Sequence, residues 1–246
     1  MQIDILTLFP EMCEAFLGES IIGRARKADK VTINCHNIRD YTTDKHNRVD
    51  DTPYGGGMGM IMSVQPVYDC VMAVSENCET KPHVVYLSPK GKTFTQKKAI
   101  ELSKLPNLVL LCGHYEGIDE RVLEEVVDEE ISIGDFVLTG GEIAAMAVVD
   151  AVSRLIPGVL KSDISFSEES HFNGLLEYPQ YTRPEVWHNK KVPDVLMSGH
   201  HKNIELWKRE MSILNTFKKR RGLLSKAKLS NNEKKMVNDL KKSENL

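Results

Sequence analysis

Hydrophobic residues in the first 155 positions fall into short strand-length runs separated by segments of helical spacing. The run from Ile3 to Leu8 alternates weakly and stops at Pro10, which predicts a buried strand followed by a short helix from Glu11 to Leu17. Val31 to Ile38 is β-branched and bounded by charge, a second strand. Helical spacing returns at Val64 to Val74, and His83 to Leu87 then reads as a strand ending in the turn Ser88-Pro89-Lys90-Gly91. Thr95 to Leu102 has the pattern of an amphipathic helix, Leu108 to Cys112 of a fully buried strand, Ile118 to Val126 of a helix and Glu130 to Ile133 of another strand. Glu142 to Leu155 is apolar on most sides, a buried helix with Arg154 in its last turn. Strands alternating with helices predict an α/β fold with a mostly parallel sheet covered on both faces.

The pattern then changes. Residues 161–173 are polar and without periodicity, as expected of an interdomain linker, and beyond a Pro- and aromatic-rich stretch come helices at about 202–219 and 231–241. The expected organisation is a domain over 1–160, a linker over 161–173 and a small helical domain over 174–246.

Two stretches break the regular alternation with glycine. Residues 39–60 form a long loop holding Pro53 and glycines at 55, 56, 57 and 59, and loops of this length inside a domain tend to be functional. No Gly-Lys-Ser/Thr follows, so it is not a phosphate loop; a lid, a place where a nucleotide meets backbone, and a plain linker all fit. The second stretch, Gly113 to Gly141, has glycines at 113, 117, 134, 140 and 141 directly after two of the predicted strands. Bare backbone at strand ends is where open α/β sheets bind small molecules, so a cofactor pocket is expected there; the competing reading is that these glycines only close tight turns.

Composition adds three constraints. Five cysteines (13, 35, 70, 78 and 112) form no CxxC pair, which argues against a disulfide framework or a zinc site and for the reduced thiols of a cytoplasmic protein. No basic leader or long apolar span is visible, so neither a targeting nor a membrane segment is expected. The net charge of −3 hides an asymmetry, +8 over residues 200–246 and −11 over residues 1–199. A basic tail on an acidic body suits an anionic polymer held by one part while chemistry proceeds in the other, although a solvated helical face would look the same.

The motifs DILTLFP, YGGGMGM, LSPKG, CGHYEGIDERV, ISIGDFVLTGGE and GLLEYPQYTRP occur in this order between residues 4 and 184. Together they closely resemble the bacterial tRNA (guanine-N1)-methyltransferases that act on guanosine 37, members of the SPOUT class. The resemblance implies a deep trefoil knot in the sheet, a homodimer with active sites between subunits, S-adenosylmethionine as methyl donor, and magnesium as a possible assistant. It maps the cofactor loops onto Tyr86, Leu87, Ser88 and Pro89, onto Gly113, Glu116 and Gly117, and onto Ser132, Ile133, Gly134, Asp135, Phe136, Val137, Leu138, Gly140 and Gly141. Within that set Glu116 is the acid able to face a methionine ammonium; as a surface acid beginning a helix it would be equally ordinary.

N1 of guanine carries a proton in the neutral base, so methylating it needs a general base, and charge gathering on O6 needs a cation or donor. Arg154 matches the family's arginine for the second task; the plainer alternative is a structural arginine paired to a carboxylate. The family's base is an aspartate in a segment resembling EDSF, where this chain has Glu168-Glu169-Ser170-His171-Phe172. Glu169 is the expected base, with Glu168 and His171 in contention. Two other functions remain in view, a SPOUT enzyme acting on a ribose 2′-hydroxyl and a non-catalytic RNA-binding protein.

Overall fold

In the computed structural model, residues 1–160, 170–172 and 174–244 are described. Expectations about the linker 161–173 and about Glu168 and Glu169 therefore lie wholly or mostly outside the described residues. The chain divides into two compact units, Met1–Asp163 and Ile164–Leu246.

The first unit begins with β1 (Gln2–Thr7), α1 (Pro10–Leu17), α2 (Ser20–Lys27) and β2 (Thr32–Asn37). Pro10 opens α1 at a position whose amide has no helical partner anyway. Helix α2 was not expected. Its eight residues bury only Ile22, Gly23 and Ala25, too few apolar positions for helical spacing to stand out beside Arg24, Arg26 and Lys27.

A 3₁₀ turn at Ile38–Tyr41 leads into the long loop, which contains a two-residue antiparallel pair, β3 (Asp50–Asp51) with β4 (Ile61–Met62). Next come α3 (Val64–Glu76), β5 (His83–Thr93), α4 (Gln96–Leu102) and β6 (Asn107–Cys112). The unit closes with α5 (Glu120–Val126), β7 (Glu129–Ser132) and α6 (Glu142–Ser153). Strand β5 runs on past the expected turn. Its pairing with β7 breaks between Leu87 and Lys92, so residues 88–91 bulge out of the ladder and the strand resumes after them.

The main sheet has the order β2-β1-β6-β5-β7, and every pairing in it is parallel. Its central strand, β6, is buried along its whole length, as expected where both faces are covered. Alternation sorts side chains between the two faces. Ile3, Ile5, Val85, Leu87, Leu108 and Leu110 pack with α1, α2, α4 and α6, while Leu6, Val84, Tyr86, Val109 and Leu111 pack with α3 and α5. Asp4 is 1% exposed on this second side and is held by Asn34 and His36 at 2.9 and 2.8 Å and by Gln2 at 2.8 Å. Burial works to raise its carboxyl pKa, but the hydrogen bonds from His36, Asn34 and Gln2 outweigh it and the net shift is downward.

The second unit holds a short hairpin, β8 (Val186–Trp187) with β9 (Lys190–Lys191), then α7 (Asp194–Met197), α8 (His201–Lys219), a 3₁₀ turn at Arg221–Ser225 and α9 (Asn231–Glu244). Its core is small: Leu175, Ile213, Phe217, Leu224 and Val237. Leu176 is tied to it where its amide donates to the Thr216 hydroxyl at 2.8 Å. The hairpin and α7 were not expected from the sequence, being two to four residues per element.

Candidate active site

Beyond the C-terminal ends of β6 and β7 the two following turns face the bulged stretch of β5 across a cleft. Tyr86, Leu87, Ser88 and Pro89 form one wall, Gly113, Glu116 and Gly117 a second, and Ser132, Ile133, Gly134, Phe136, Val137, Leu138, Gly140 and Gly141 the third. Asp135 is the one expected member that does not line the cleft; it is exposed in the same turn.

The turns are joined by backbone. The Gly141 amide donates to the Gly113 carbonyl at 2.9 Å, and His114 pairs with Gly140 in an isolated antiparallel bridge. Close approach explains the glycines best at two positions. A Cβ on Gly141 would meet the Cα of Cys112 at 2.8 Å, and one on Gly113 would meet the Tyr86 hydroxyl at 2.8 Å. The glycine-rich loop joins the same seam, since the Glu116 amide donates to the Met60 carbonyl at 3.0 Å and the Met62 amide to Gly117 at 2.9 Å. Glu116 also packs against Gly59, while Tyr54 and Met58 near the loop's tip are almost fully exposed.

Electrostatically the cleft is mild. Burial first, then the charges of Glu130 and Glu120, push the Tyr86 phenol up to about 12, so it is a protonated hydrogen-bond donor at neutral pH. Cys112, just before Gly113, is raised well above the usual thiol range by burial and by Glu142, and stays a neutral thiol. The cleft mixes bare amides and carbonyls with apolar walls at Leu87, Ile133 and Leu138, the mixture that holds a flat heterocycle by its edge and faces.

Lys90, His114, Tyr115 and Thr139 also line the cleft, inside stretches expected to form it but not named there one by one, and Ile118, Leu123, Ile131 and Ala144 line it without having been expected. His114 and Tyr115 lie within the 113–117 turn, and the signal that could have found them is that a turn this tight presents every one of its residues to the same space. Arg154 is not on the cleft wall. It is half-buried at the C-terminal end of α6, its amide donating to Asp150 at 3.2 Å. His171 belongs to the second unit, with a positive φ of 72° and an amide that donates to the Leu175 carbonyl at 2.8 Å. Among the described residues no three His, Cys, Asp or Glu side chains converge as a metal site would require.

Comparison with known proteins finds relatives over nearly the whole chain. A family model described as tRNA (Guanine-1)-methyltransferase TrmD matches residues 1–226. A tRNA (guanine-N(1)-)-methyltransferase of Ruminiclostridium cellulolyticum is 62% identical over 226 residues, covering 92% of this chain and 97% of that protein. The proteins of the same name from Clostridium botulinum and Dehalococcoides mccartyi are 56% and 52% identical, covering 98% and 100% of this chain and 99% of each relative. A model match across both units, joined to relatives of the same length and to a glycine-walled cleft at the ends of parallel strands, places the chain in the tRNA (guanine-1)-methyltransferase TrmD family.

Proposed function

We propose that this chain transfers the methyl group of S-adenosylmethionine to N1 of guanosine 37 in tRNA. The observation that carries the reading is the cleft itself: two glycine-marked turns at adjacent strand ends facing the bulge of β5, in a chain whose relatives are named for guanine-N1 methylation of tRNA. The cradle fits the donor. Gly113, Gly117, Gly134, Gly140 and Gly141 put backbone without side chains beside the place for an adenine, Leu87, Ile133 and Leu138 supply apolar contact, and exposed Glu116 is available to an ammonium group.

Bound there, the donor supplies an electrophilic methyl carbon on a sulfonium. The chain supplies the rest. Glu169 takes the N1 proton as the N1–methyl bond forms and the sulfur–methyl bond breaks, its electron pair staying on sulfur. Glu168 and His171 are the alternative bases. Arg154 offsets the charge gathering on O6. Magnesium enters through family resemblance alone; the described residues form no metal site, and no step runs through it.

The remaining parts of the reading follow the same resemblance. The sheet's C-terminal turns are threaded as the SPOUT trefoil knot, residues 161–173 link the two domains, and the second unit holds tRNA. Exposed Lys218, Lys219 and Arg220 at the end of α8 support that last role. A homodimer is supported by an apolar hollow on the first unit, where Met12, Phe16 and Ile143 are 50%, 42% and 51% exposed beside Met146 and Ala147. No described helix is long and apolar enough to cross a membrane, and the cytoplasm is the compartment proposed for an enzyme of tRNA.

Labelled S-adenosylmethionine and paired tRNA transcripts test the reading. Label should enter a transcript with guanosine at position 37 and not its adenosine-37 counterpart. Equal labelling of both would refute it.

A further inference from the structure

Behind the mouth of the cleft, three elements converge on one point beside Gly140. The Phe9 amide donates to the Thr7 hydroxyl at 2.9 Å, and that hydroxyl donates to Glu142 Oε1 at 2.7 Å. This chain fixes the Glu142 carboxyl, only 4% exposed, and leaves its Oε2 turned toward Gly140. The position a Cβ would take on Gly140 lies against Oε2 and 2.8 Å from His114 Nδ1. His114 Nδ1 is itself buried without a hydrogen-bond partner. The imidazole is held between aromatic rings, Phe9 at 5.0 Å and Tyr115 at 4.9 Å, which limits it to small movements.

We propose that His114 is a positioning residue of the cleft: an Nδ1–H donated to Glu142 Oε2 latches the 113–117 turn to the 134–141 turn and to the start of α6. The inference rests on the assignment of S-adenosylmethionine to this cleft. A buried nitrogen without a partner is costly, a neutral histidine can carry its proton on Nδ1, and an acceptor close by across Gly140 belongs to a carboxyl group already anchored from its other side. Gly140 is required because any side chain there would occupy the space between the two groups. The latch spans the same seam as the Gly141-to-Gly113 hydrogen bond and the His114–Gly140 bridge, so closing it sets the spacing of two turns that both face the ligand. Its effect is expected on cofactor affinity, because the turns it joins both line the cleft.

Calorimetry with S-adenosylmethionine and steady-state kinetics on the full-length chain test this. His114→Phe keeps a ring and removes the donor; its Kd and KM for S-adenosylmethionine should rise about tenfold, the effect of one buried hydrogen bond. Its kcat at saturating cofactor and its KM for tRNA should stay within about twofold of wild type, a split that general misfolding would not produce. His114→Asn retains an N–H near Nδ1 and should recover most of the affinity. In a Glu142→Leu background, His114→Phe should cost nothing further. If His114→Phe loses its cooperative thermal transition, His114→Ala, which only removes atoms from a half-buried side chain, makes the same comparison. Wild-type affinity in the folded His114→Phe or His114→Ala variant, or failure of His114→Asn to recover, would overturn the latch alone. Failure of the wild-type chain to bind S-adenosylmethionine would instead overturn the cofactor assignment, and the latch with it.

Discussion

At Gly113 a missing side chain lets the Tyr86 hydroxyl come close; a valine there would meet the hydroxyl at 2.8 Å and the ring edge at 3.0 Å. Gly113→Val therefore displaces Tyr86 as well as filling the cleft, and S-adenosylmethionine affinity should fall at least about tenfold while the sheet stays folded. Calorimetry showing wild-type affinity in a cooperatively folding variant would contradict the assignment. Asp4 gives the pH prediction. Its folded-state pKa is lowered, so its contribution is fully present above the ordinary aspartate value and is lost as pH falls through the lower folded-state value. Asp4→Asn should cost about 1–3 kcal/mol at pH 7, since an amide cannot accept from Gln2, Asn34 and His36 together, and the deficit should shrink below about pH 4. Urea unfolding of both proteins across pH 3 to 7 measures it; a pH-independent deficit would show that packing and not ionisation is at stake. Glycine positions marked the 113–117 and 134–141 turns because tight turns dictate glycine, whereas the separate wall residues from Tyr86 to Pro89 and from Ser132 to Leu138 came through resemblance. Asp4 and the His114–Glu142 pair were not, since a lone polar residue in a strand or turn carries no periodic signal and only three-dimensional neighbours reveal its partners.

Among the elements, strand-length runs bounded by turn residues located all five strands of the main sheet, because burial on both faces leaves a nearly continuous apolar signature at β6. What escaped was short or weakly patterned. Helix α2 carries its apolar residues among arginines, and the β8–β9 hairpin has two residues a side, all exposed. Strand β5 outran its expected end at Leu87 because Pro89 and Gly91 read as a stop, whereas the chain bulges through them and pairs again at Lys92. Helix α8 sets the next prediction, for its C-terminal end delivers Lys218, Lys219 and Arg220 to the surface. Reversing these three charges should raise KM for tRNA, lower the slope of log affinity against log salt by about one per lost phosphate contact, and leave S-adenosylmethionine binding alone. Arg221 is best left in place, since its guanidinium lies over the Phe217 ring at 4.1 Å and supports the small core of this unit. An unchanged salt slope would mark the cluster as a solvated face.

For the whole molecule, the account assembles each active site from two copies of the chain. Arg154→Ala and Glu169→Ala homodimers, each inactive, should regain part of their activity when mixed under exchange conditions. Light scattering that found a monomer at micromolar concentration would remove the basis for that complementation. The charge asymmetry between an acidic body and a basic tail was legible in the sequence, and the proposed division of labour starts from it. The proposed knot has no such signal in composition or periodicity and rests on the resemblance alone. The central claim, guanine-N1 methylation, is tested most directly by digesting the reacted tRNA to nucleosides and locating the added methyl by mass spectrometry. The account predicts a methylated guanosine whose extra mass stays with the base on fragmentation and which coelutes with 1-methylguanosine. A methyl that leaves with the ribose, or a product that elutes apart from that standard, would contradict it.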